Sequence, residues 1–486
     1  MPVNERTNST QHAHLIGICG TAMASLAGLL QRAGWRVTGS DAAVYPPMSD
    51  LLARLGITVQ QPFAESNLFE RPDCVIVGNA ISRGNVELEY ALDQKIPLES
   101  MAHMLHREFL CGRESLVVAG THGKTTTTSM LAWIYQVAAE SDPELAPSFL
   151  IGGVAENFGT SFQLQPTQPF LLEGDEYDTA FFDKGPKFLH YFPDALILTH
   201  VEYDHADIYA NLDAVKTAFQ RLVNLVPRRG RIVAYDASEN LSQCVARAFC
   251  TVERYGFSAE SHWRIRKHST QDGRSLWSVE RGGAPWAEFS MPVVGEHNVL
   301  NATAAAALAA GQGLPISAIQ KALASFRSVK RRLEVCAEVN GITVIDDFAH
   351  HPTAIRETLR ALRARYPGRR LWAVLEPRSN TLRRNVFQKE LVESLATADR
   401  VLLAQVFQQE KIPAEQRLHV EHVIADLEQR QHPAQSLPDA DAIVEHLAAH
   451  TRSGDVVALL SNGGFGGIYQ KLPERLRQAA SLSAEK

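Results

Sequence analysis

The sequence has few cysteines, no long apolar run and no strong excess of charge of one sign. Its six cysteines form no CxxC pair and no zinc-type spacing, which argues against a disulfide framework and is typical of a reduced, cytosolic chain. No segment approaches the ~20 consecutive apolar residues that span a bilayer. The first residues are polar and lack the apolar stretch of a signal peptide. We therefore expect a cytoplasmic protein with no membrane partner.

Charge is close to balance, since 48 basic and 54 acidic residues give a formal net charge of −6. This balance gives no reason to expect a nucleic acid as partner. Hydrophobic residues make up 45% and charged residues 21% of the 486 positions, as in ordinary globular proteins. At ~150 residues per domain, the length predicts roughly three domains.

Three segments share one pattern: an apolar strand, a loop of small or polar residues, and a helix. The strands are predicted at 14–19, 115–119 and 342–345. Repeated units of this kind favour parallel sheets covered by helices. We predict an α/β fold of three domains. They are a Rossmann-like N-terminal domain (1–112), a central P-loop ATPase-like domain (113–328) with a small antiparallel excursion at 260–292, and a Rossmann-like C-terminal domain (329–486).

The most informative segment is the loop of Gly120, Thr121, His122, Gly123, Lys124, Thr125 and Thr126. A glycine-rich loop between a strand and a helix points backbone N–H groups at an anion, and the helix N-terminus adds a positive dipole. Lys124 is placed to reach the β- and γ-phosphates of ATP, and the hydroxyl of Thr125 is placed to bind Mg²⁺. The loop is shorter than the usual Walker motif because Val118 stands where a glycine is expected.

Two acidic stretches follow in the same domain, each after an apolar strand. The first is EGDEYD, which begins at Glu173, and the second is HVEYDHAD, which contains His205. Carboxylates at the ends of parallel strands lie where ligands bind in α/β sheets. Hard oxygen ligands with one imidazole suit Mg²⁺. A zinc hydrolase is a weaker interpretation, because it leaves the phosphate loop without a purpose.

The first domain carries glycines that imitate a dinucleotide-binding fingerprint. Gly17, Gly20 and Thr21 lie between strand and helix, and Ser40 and Asp41 follow about twenty positions later. A nicotinamide-binding fingerprint has three glycines, but Cys19 and Ala22 occupy the second and third glycine positions here. The pattern therefore favours a diphosphate site over NAD. A nicotinamide-dependent oxidoreductase stays an alternative of a different class that explains this domain alone.

Together these segments resemble the Mur ligase family, which builds the peptide stem of bacterial peptidoglycan. The likeness covers nearly the whole chain and rests on AGTHGKTTTT, EGDEYD, VEYDHAD, GEHNVLNA, KRRLE and DDFAHHPT. It implies that the first domain binds a UDP-sugar, the central domain binds ATP and Mg²⁺, and the third domain brings an amine. The implied activity is amide-bond formation through an acyl phosphate.

The resemblance also implies roles for single residues. Lys124 and Thr125 correspond to ligands of the phosphates and Mg²⁺, and Glu173 and His205 to ligands of a second Mg²⁺. The positions that match the adenine contacts and the third-domain part of the nucleotide site are Asn298, Asn301, Arg332 and Asp347. His350 and His351 are candidates for the base that deprotonates the amine.

Within the family, GSDAAVYPPMSDLL, EYDTAFFDKGPKFLHY, EPRSNTLRRNVFQKEL and SNGGFGGIYQKL resemble the branch that joins a murein tripeptide to UDP-N-acetylmuramate. The tripeptide carries several carboxylates, and arginines bind carboxylates in bidentate fashion. The candidate residues for this role are Arg378, Ser379, Asn380 and Arg383.

The nearest alternative is the branch that adds free L-alanine to UDP-N-acetylmuramate. A folate polyglutamate ligase and a non-catalytic nucleotide-binding regulator are also open. For the chain itself we expect a monomer or a weak homodimer.

Overall fold

A computed structural model describes residues 10–44 and 48–484. The stretches 1–9, 45–47 and 485–486 lie outside the described residues, and with them part of the polar N-terminus and part of GSDAAVYPPMSDLL. The strands group into three large sheets of five, ten and six strands, with a separate two-stranded ribbon. No helix in the described part of the chain is long and apolar enough to cross a membrane.

The first sheet is entirely parallel, in the order β3-β2-β1-β4-β5. Its elements are β1 (His12–Ile16), α1 (Thr21–Arg32), β2 (Arg36–Ser40), α2 (Met48–Arg54), β3 (Val59–Gln60), β4 (Cys74–Val77), α3 (Val86–Asp93), β5 (Leu98–Ser100) and α4 (Met101–Leu105). Every residue of β1 is buried, as expected for a central parallel strand covered on both faces. The predicted Rossmann-like character is confirmed, although β1 ends at Ile16 rather than at 19.

The second sheet is mixed. Its strands are β6 (Glu114–Ala119), β7 (Ser148–Ala155), β8 (Thr160–Gln163), β9 (Pro169–Gly174), β12 (Ala195–Leu198), β13 (Arg231–Tyr235), β14 (Thr251–Gly256), β15 (Trp263–Gln271), β16 (Arg274–Arg281) and β17 (Ala284–Met291), while β10 (Asp178–Ala180) and β11 (Asp183–Pro186) form the ribbon. The helices are α5 (Lys124–Ala138), α6 (Leu212–Leu225), α7 (Glu239–Val245), α8 (Glu296–Gly311) and α9 (Ile316–Ala324).

The antiparallel excursion predicted at 260–292 is confirmed as β15, β16 and β17, which pair antiparallel. Their turns lie at Asp272–Gly273 and Gly282–Gly283. The antiparallel pairing of β7 with β8 at the opposite edge was not predicted. In the middle of the sheet β12, β6 and β9 are parallel neighbours, so the loops that follow these three strands meet at one edge.

The third sheet has the order β18-β19-β23-β20-β21-β22. Its elements are β18 (Glu334–Val339), β19 (Ile342–Asp347), α10 (Pro352–Arg365), β20 (Leu371–Leu375), α11 (Gln388–Leu395), β21 (Arg400–Ala404), α12 (Val420–Gln429), β22 (Ala434–Leu437), α13 (Ala440–His450), β23 (Val456–Leu460) and α14 (Ile468–Ala484). The predicted apolar face of α10 is buried through Ile355, Leu359 and Leu362. Only the edge strand β18 runs antiparallel to its neighbour.

Each large sheet uses strands from one predicted domain only; the boundaries at 112/113 and 328/329 stay predictions. Where the first domain meets the second, Ser25 Oγ lies 2.7 Å from Ser161 Oγ. A Cβ added at Gly28 would lie 2.1 Å from the ring of Phe162, so glycine lets α1 approach this ring. The second and third domains meet through polar side chains at the edge that holds the candidate site.

Candidate active site

The phosphate loop connects β6 to α5, and two of its glycines are required by geometry. Gly120 and Gly123 have φ of +139° and +79°, where residues with a Cβ are disfavoured. A Cβ at Gly120 would lie 2.1 Å from Thr199 Oγ1, and one at Gly123 would lie 2.5 Å from Asn301 Oδ1. The loop therefore packs against the end of β12 and against α8, and the helix N-terminus that it precedes offers a positive dipole.

Lys124 lies at the start of α5 and is nearly buried. Its Nζ donates hydrogen bonds of 2.8 Å to Gly120 O and to Glu176 Oε2. Burial alone would lower the pKa of Lys124, but the charges of Glu176, Asp175 and Glu173 raise it above its ordinary value. Lys124 is thus a fixed cation that curls back over its own loop, in the place where an anion would bind.

Thr125 and Glu173, two of the predicted metal ligands, are in contact. The hydroxyl of Thr125 donates to Glu173 Oε1 at 2.8 Å, and the N–H of Gly152 donates to Glu173 Oε2 at 2.7 Å. Burial and the charge of Asp175 raise the pKa of Glu173. A divalent cation beside this carboxylate would favour its ionised form.

His205 approaches the same cluster from the loop after β12. Its Nε2 lies 3.2 Å from Glu176 Oε1, and its backbone N–H donates to Asp204 Oδ1 at 2.7 Å. Burial lowers the pKa of His205, but Glu176 and Asp204 raise it above its ordinary value overall. The residue has φ of +53°, a conformation that costs about 1–3 kcal/mol, so its surroundings hold it in place.

The donors at this edge fit Mg²⁺. Glu176 Oε1 is buried and receives no well-aligned hydrogen bond, while burial, which would raise the pKa of Glu176, is outweighed by Lys124 and His205, which lower it to about 2. The ionised carboxylate of Glu176, the Thr125 hydroxyl and Glu173 form a hard oxygen set. The predicted metal ligands Thr125, Glu173 and His205 therefore lie along one short chain of contacts through Glu176 and Lys124. Their roles stay predictions.

The predicted adenine contacts lie on the first turns of α8. Asn301 packs against the loop at Gly123, and Asn298 donates to Val294 O at 2.8 Å. Both side chains are buried. Thr121 and His122, the loop residues between the two glycines, contact the segment after β12 instead, since Thr121 N donates to His200 O at 2.8 Å.

The third domain brings its predicted nucleotide residues to the same edge, at the carboxyl end of β19. Asp347 accepts hydrogen bonds from the N–H groups of Leu333 and Ala349, at 2.8 Å and 2.9 Å, so it organises the backbone on both sides of β19. The guanidinium of Arg332 lies 5.1 Å from the ring centre of Phe348. His350 Nδ1 lies 2.9 Å from Phe348 O, and burial lowers the pKa of His350.

The loop that contains the predicted arginines follows β20. Arg378 lies 3.8 Å over the ring of Phe407 and 3.4 Å from Glu376 Oε1. Asn380 donates to Asp207 Oδ2 at 2.7 Å, which ties this loop to the segment after β12. Ser379 Oγ accepts the N–H of Leu382 at 3.1 Å. The loop therefore lies at the same edge as the phosphate loop, as the sequence indicated.

Arg383, which the sequence predicts to bind a carboxylate, and its neighbour Arg384 lie between β20 and α11. Arg383 lies in a turn, and Arg384 forms an isolated antiparallel bridge with Arg417 ahead of α11. Arg383 Nη1 donates to Phe407 O at 3.3 Å, and its Nε has no hydrogen-bond partner. Because this Nε atom is buried, an acidic ligand would meet the guanidinium at its terminal nitrogens.

The first domain has its own glycine turn, between β1 and α1. Gly17 has φ of +83°, and its N–H donates to Ser40 O at 2.8 Å. Asp41 Oδ2 accepts the N–H of Cys19 at 2.8 Å, so the acidic residue holds the turn directly. The hydroxyl of Ser40 donates to the buried carboxylate of Glu87 and so points into the domain. Gly20 and Thr21 begin α1.

Sequence reasoning missed two side chains that join the domains. Thr381 donates to Asp204 Oδ1 at 2.6 Å, and Thr353 donates to Glu202 Oε2 at 2.9 Å. Both threonines belong to the third domain and both carboxylates to the second. The acidic stretch after β12 was recognised, but no local pattern marks a threonine as the partner of a distant carboxylate.

Comparison with known proteins places these features in a family. Three family models match: "Mur ligase family, catalytic domain" over residues 12–109, "Mur ligase middle domain" over 118–309, and "Mur ligase, glutamate ligase domain" over 331–463. Together they span all three sheets.

The chain is similar over nearly its whole length to UDP-N-acetylmuramate–L-alanyl-γ-D-glutamyl-meso-2,6-diaminoheptandioate ligases. The Escherichia coli protein is 44% identical over 97% of this chain and 99% of its own. The Haemophilus influenzae protein is 40% identical over 96% and 99%. A UDP-N-acetylmuramate–L-alanine ligase of Lachnoclostridium phytofermentans is 30% identical over 96% and 98%.

One solved structure is also similar to this chain over nearly its whole length. The murein peptide ligase of Psychrobacter arcticus is 36% identical, with a TM-score of 0.72 over 96% of this chain and 99% of its own.

Proposed function

Because the chain belongs to the Mur ligase family of ATP-dependent, amide-bond-forming ligases, we propose that it joins L-alanyl-γ-D-glutamyl-meso-diaminopimelate to UDP-N-acetylmuramate. The products are UDP-N-acetylmuramoyl-tripeptide, ADP and phosphate, and the reaction returns cell-wall peptide to biosynthesis. Identities of 44% and 40% to ligases of this specificity, against 30% to an alanine-adding ligase, support the tripeptide over free alanine.

The observation that carries the proposal is the meeting of Lys124, Thr125, Glu173, Glu176 and His205 at the ends of three adjacent strands. A cation held by carboxylates, beside a hydroxyl and a helix N-terminus, suits a nucleotide triphosphate with its metal. We expect Lys124 to leave Glu176 and bind the terminal phosphates when ATP enters. Mg²⁺, held by Thr125, Glu173 and His205, would neutralise phosphate charge.

The first chemical step activates the carboxylate of UDP-N-acetylmuramate. One carboxylate oxygen attacks the γ-phosphorus, the bond to the β-γ bridging oxygen breaks, and ADP leaves. The product is an acyl phosphate, whose phosphate is a good leaving group. Lys124 neutralises charge on the transferred group, and the loop backbone holds it in line with the attacking oxygen.

In the second step the α-amine of the tripeptide attacks the acyl carbon, and phosphate departs from a tetrahedral intermediate. The amine must first lose a proton. His350 is our candidate for the base, since burial lowers its pKa and keeps the imidazole neutral, and therefore able to accept a proton, at pH 7. Its position at the start of the third domain suits an amine that this domain delivers.

The tripeptide presents several carboxylates, and the loop after β20 supplies the matching charge. Arg383 lies in this loop, and Arg378 lies beside the glycine turn after β23, where a Cβ on Gly463 would lie 2.1 Å from its Nε. Glycine at this position leaves room for the arginine. We propose that Arg378 and Arg383 bind the acidic tripeptide, with Ser379 and Asn380 as polar neighbours.

We further propose that the enzyme works in the cytoplasm, where ATP and UDP-linked sugars are made, and that it is a monomer or a weak homodimer. All six cysteines are free, as suits a reducing compartment. Light scattering across a concentration series checks the oligomeric state.

An acceptor comparison tests the proposal. Purified protein with ATP, Mg²⁺ and UDP-N-acetylmuramate should release ADP and form the UDP-N-acetylmuramoyl-tripeptide mass when given the tripeptide, with little product from free L-alanine. Preference for L-alanine would support the alanine-adding alternative. ADP release that requires no amine would overturn the ligase assignment itself.

A further inference from the structure

A cleft of about 270 Å³ lies between the second and third domains. Its wall includes Glu202 from the segment after β12, and His351 and Thr353 from the start of α10. His122 of the phosphate loop reaches the same carboxylate from the other side, with its Nε2 2.8 Å from Glu202 Oε2. Two histidines and one glutamate, from three separate segments, thus converge at this boundary.

These three side chains have the spacing of metal ligands. Their donor atoms all lie within 4.8 Å of one another, and in the described part of the chain no other group of three His, Cys, Asp or Glu side chains does so. His351 Nδ1 lies 3.6 Å from Glu202 Oε2. Ligand atoms around a tetrahedral zinc ion are ~3.4 Å apart, so the two measured separations of 2.8 Å and 3.6 Å bracket the required value.

The hydrogen bonds of His351 fix its tautomer and leave Nδ1 unprotonated, as a metal-binding nitrogen must be. Nδ1 accepts the N–H of Thr353 at 3.3 Å, which makes it the unprotonated nitrogen, and Nε2 lies 3.3 Å from Tyr203 O and can donate to it. Thr353 donates to both acceptors, through its N–H to Nδ1 and through its Oγ1 to Glu202 Oε2, so a bound cation would replace these two hydrogen bonds with coordination. An imidazole whose other N–H donates to a carbonyl is the arrangement that commonly orients metal-binding histidines.

We propose that His122, Glu202 and His351 form a site for Zn²⁺ or a similar first-row transition metal ion, with a fourth position open to water from the cleft. Two imidazoles and one carboxylate are a zinc-type set rather than a magnesium-type set. The site shares no ligand with the predicted Mg²⁺ set of Thr125, Glu173 and His205.

A bound ion would couple the phosphate loop to the third domain, because His122 belongs to the loop and His351 caps α10. The two domains would then be held together at the edge that substrates must enter. We infer that occupancy stabilises the fold and slows turnover. The expected slowing of turnover rests on the proposed ligase function, whereas metal binding and the stabilisation of the fold do not.

Cobalt(II) absorption on the full-length, chelator-treated protein tests the site, since tetrahedral cobalt gives an intense visible spectrum. Wild type should bind one equivalent, and Zn²⁺ but not millimolar Mg²⁺ should displace it. Glu202→Gln should weaken binding at least ~10-fold, as loss of a ligand costs no less than loss of its supporting contacts. His351→Asn should do the same, and asparagine can still cap α10, which guards against simple unfolding.

A surface pair provides the matched control. His446 and His450 stack at 4.2 Å on α13 and could together bind a cobalt ion weakly. His450→Asn should therefore leave the one tightly bound cobalt ion unchanged. Zn²⁺ should raise the melting temperature of wild type and of His450→Asn but not of Glu202→Gln. Equal cobalt affinity in wild type, Glu202→Gln and His351→Asn would overturn the site. Loss of the tightly bound cobalt ion in His450→Asn would also overturn the site. Zinc binding without slower ADP release would contradict only the effect on turnover.

Discussion

Two glycine turns in this molecule are built alike and are suited to different ligands. Each joins a buried parallel strand to a helix, β1 to α1 and β6 to α5, and each contains a glycine with positive φ. In the first turn the backbone is held by Asp41, which accepts the N–H of Cys19. In the second turn the helix begins with Lys124, which is held by Glu176.

The difference teaches that a strand–turn–helix unit fixes only where an anion can bind, while the neighbouring charges decide which anion. In the proposed function, Lys124 and the carboxylates Glu173 and Glu176 around the second turn would hold a triphosphate and its metal. The first glycine turn lacks such charges, since the first helical turn of α1 contains no acidic residue and no lysine. This arrangement suits a diphosphate held by backbone N–H groups. Four predictions can break or sharpen this comparison.

The largest effect is expected from Lys124→Ala, which removes the cation of the second turn. ADP formation should fall on the order of 1,000-fold, as when a preorganised electrostatic contact to the transition state is lost. Steady-state assays with all three substrates measure it. Lys184→Ala removes an exposed lysine of the same domain, paired with Asp178, and should change little. Near-normal turnover in Lys124→Ala would break the comparison.

The acidic partner of Lys124 should make the second turn sensitive to acid. Because Lys124 and His205 lower the pKa of Glu176 from 4.5 to about 2, this carboxylate stabilises the fold above pH ~4.5, and that stability is lost as the pH falls toward 2. The loss should be on the order of 3 kcal/mol. Thermal unfolding measured between about pH 5 and about pH 2.5 should show a shallower decline in stability for Glu176→Gln than for wild type. Glu144→Gln, an exposed change in the same domain, should follow wild type.

The first turn should respond in a different kinetic constant. Asp41→Ala removes the acceptor of the Cys19 N–H, and a lost hydrogen bond of this kind is worth about 1 kcal/mol or somewhat more. The KM for UDP-N-acetylmuramate should therefore rise roughly 5- to 10-fold, with the KM for ATP unchanged. Asp93→Ala, at the exposed end of α3, is the control. An increase in the KM for ATP alone would reverse the roles of the two turns.

The smallest difference is expected between alanine substitutions at the glycines. Gly17→Ala and Gly123→Ala both place a Cβ on a residue with positive φ, which costs roughly 1–2 kcal/mol. The new Cβ at residue 17 would lie 3.4 Å from Ile81, an ordinary contact, whereas the one at residue 123 would lie 2.5 Å from Asn301. Melting temperatures should therefore fall further for Gly123→Ala. Equal losses would show that Asn301 moves aside easily.

Much of the fold could be predicted from the sequence because its signals are local. The apolar strands before Gly120 and Asp346, the helical spacing of Ile355, Leu359 and Leu362, and the glycine turns at 272–273 and 282–283 each depend on nearby residues. The antiparallel strand β8 was missed, since Thr160–Gln163 is a short edge strand with no periodic pattern of its own.

The candidate site was predictable in its parts but not in its connections. The phosphate loop and EGDEYD are continuous motifs, and the resemblance to a known family supplied the rest. That Glu176 rather than Glu173 binds Lys124, and that Thr381 binds Asp204, depends on how strands from separate segments meet. One sequence without its fold contains no signal for such contacts.

The account rests on transfer of the terminal phosphoryl group of ATP to the carboxylate of the sugar, and oxygen labelling tests this transfer most directly. UDP-N-acetylmuramate labelled with ¹⁸O in its carboxylate would be converted with ATP and the tripeptide, and the released phosphate analysed by mass spectrometry. The account predicts one ¹⁸O atom in each phosphate. The oxygen that bridges carbon and phosphorus in the acyl phosphate comes from the carboxylate, and it leaves with the phosphate when the amine attacks the acyl carbon. Unlabelled phosphate, formed at the same rate as the amide product, would contradict it.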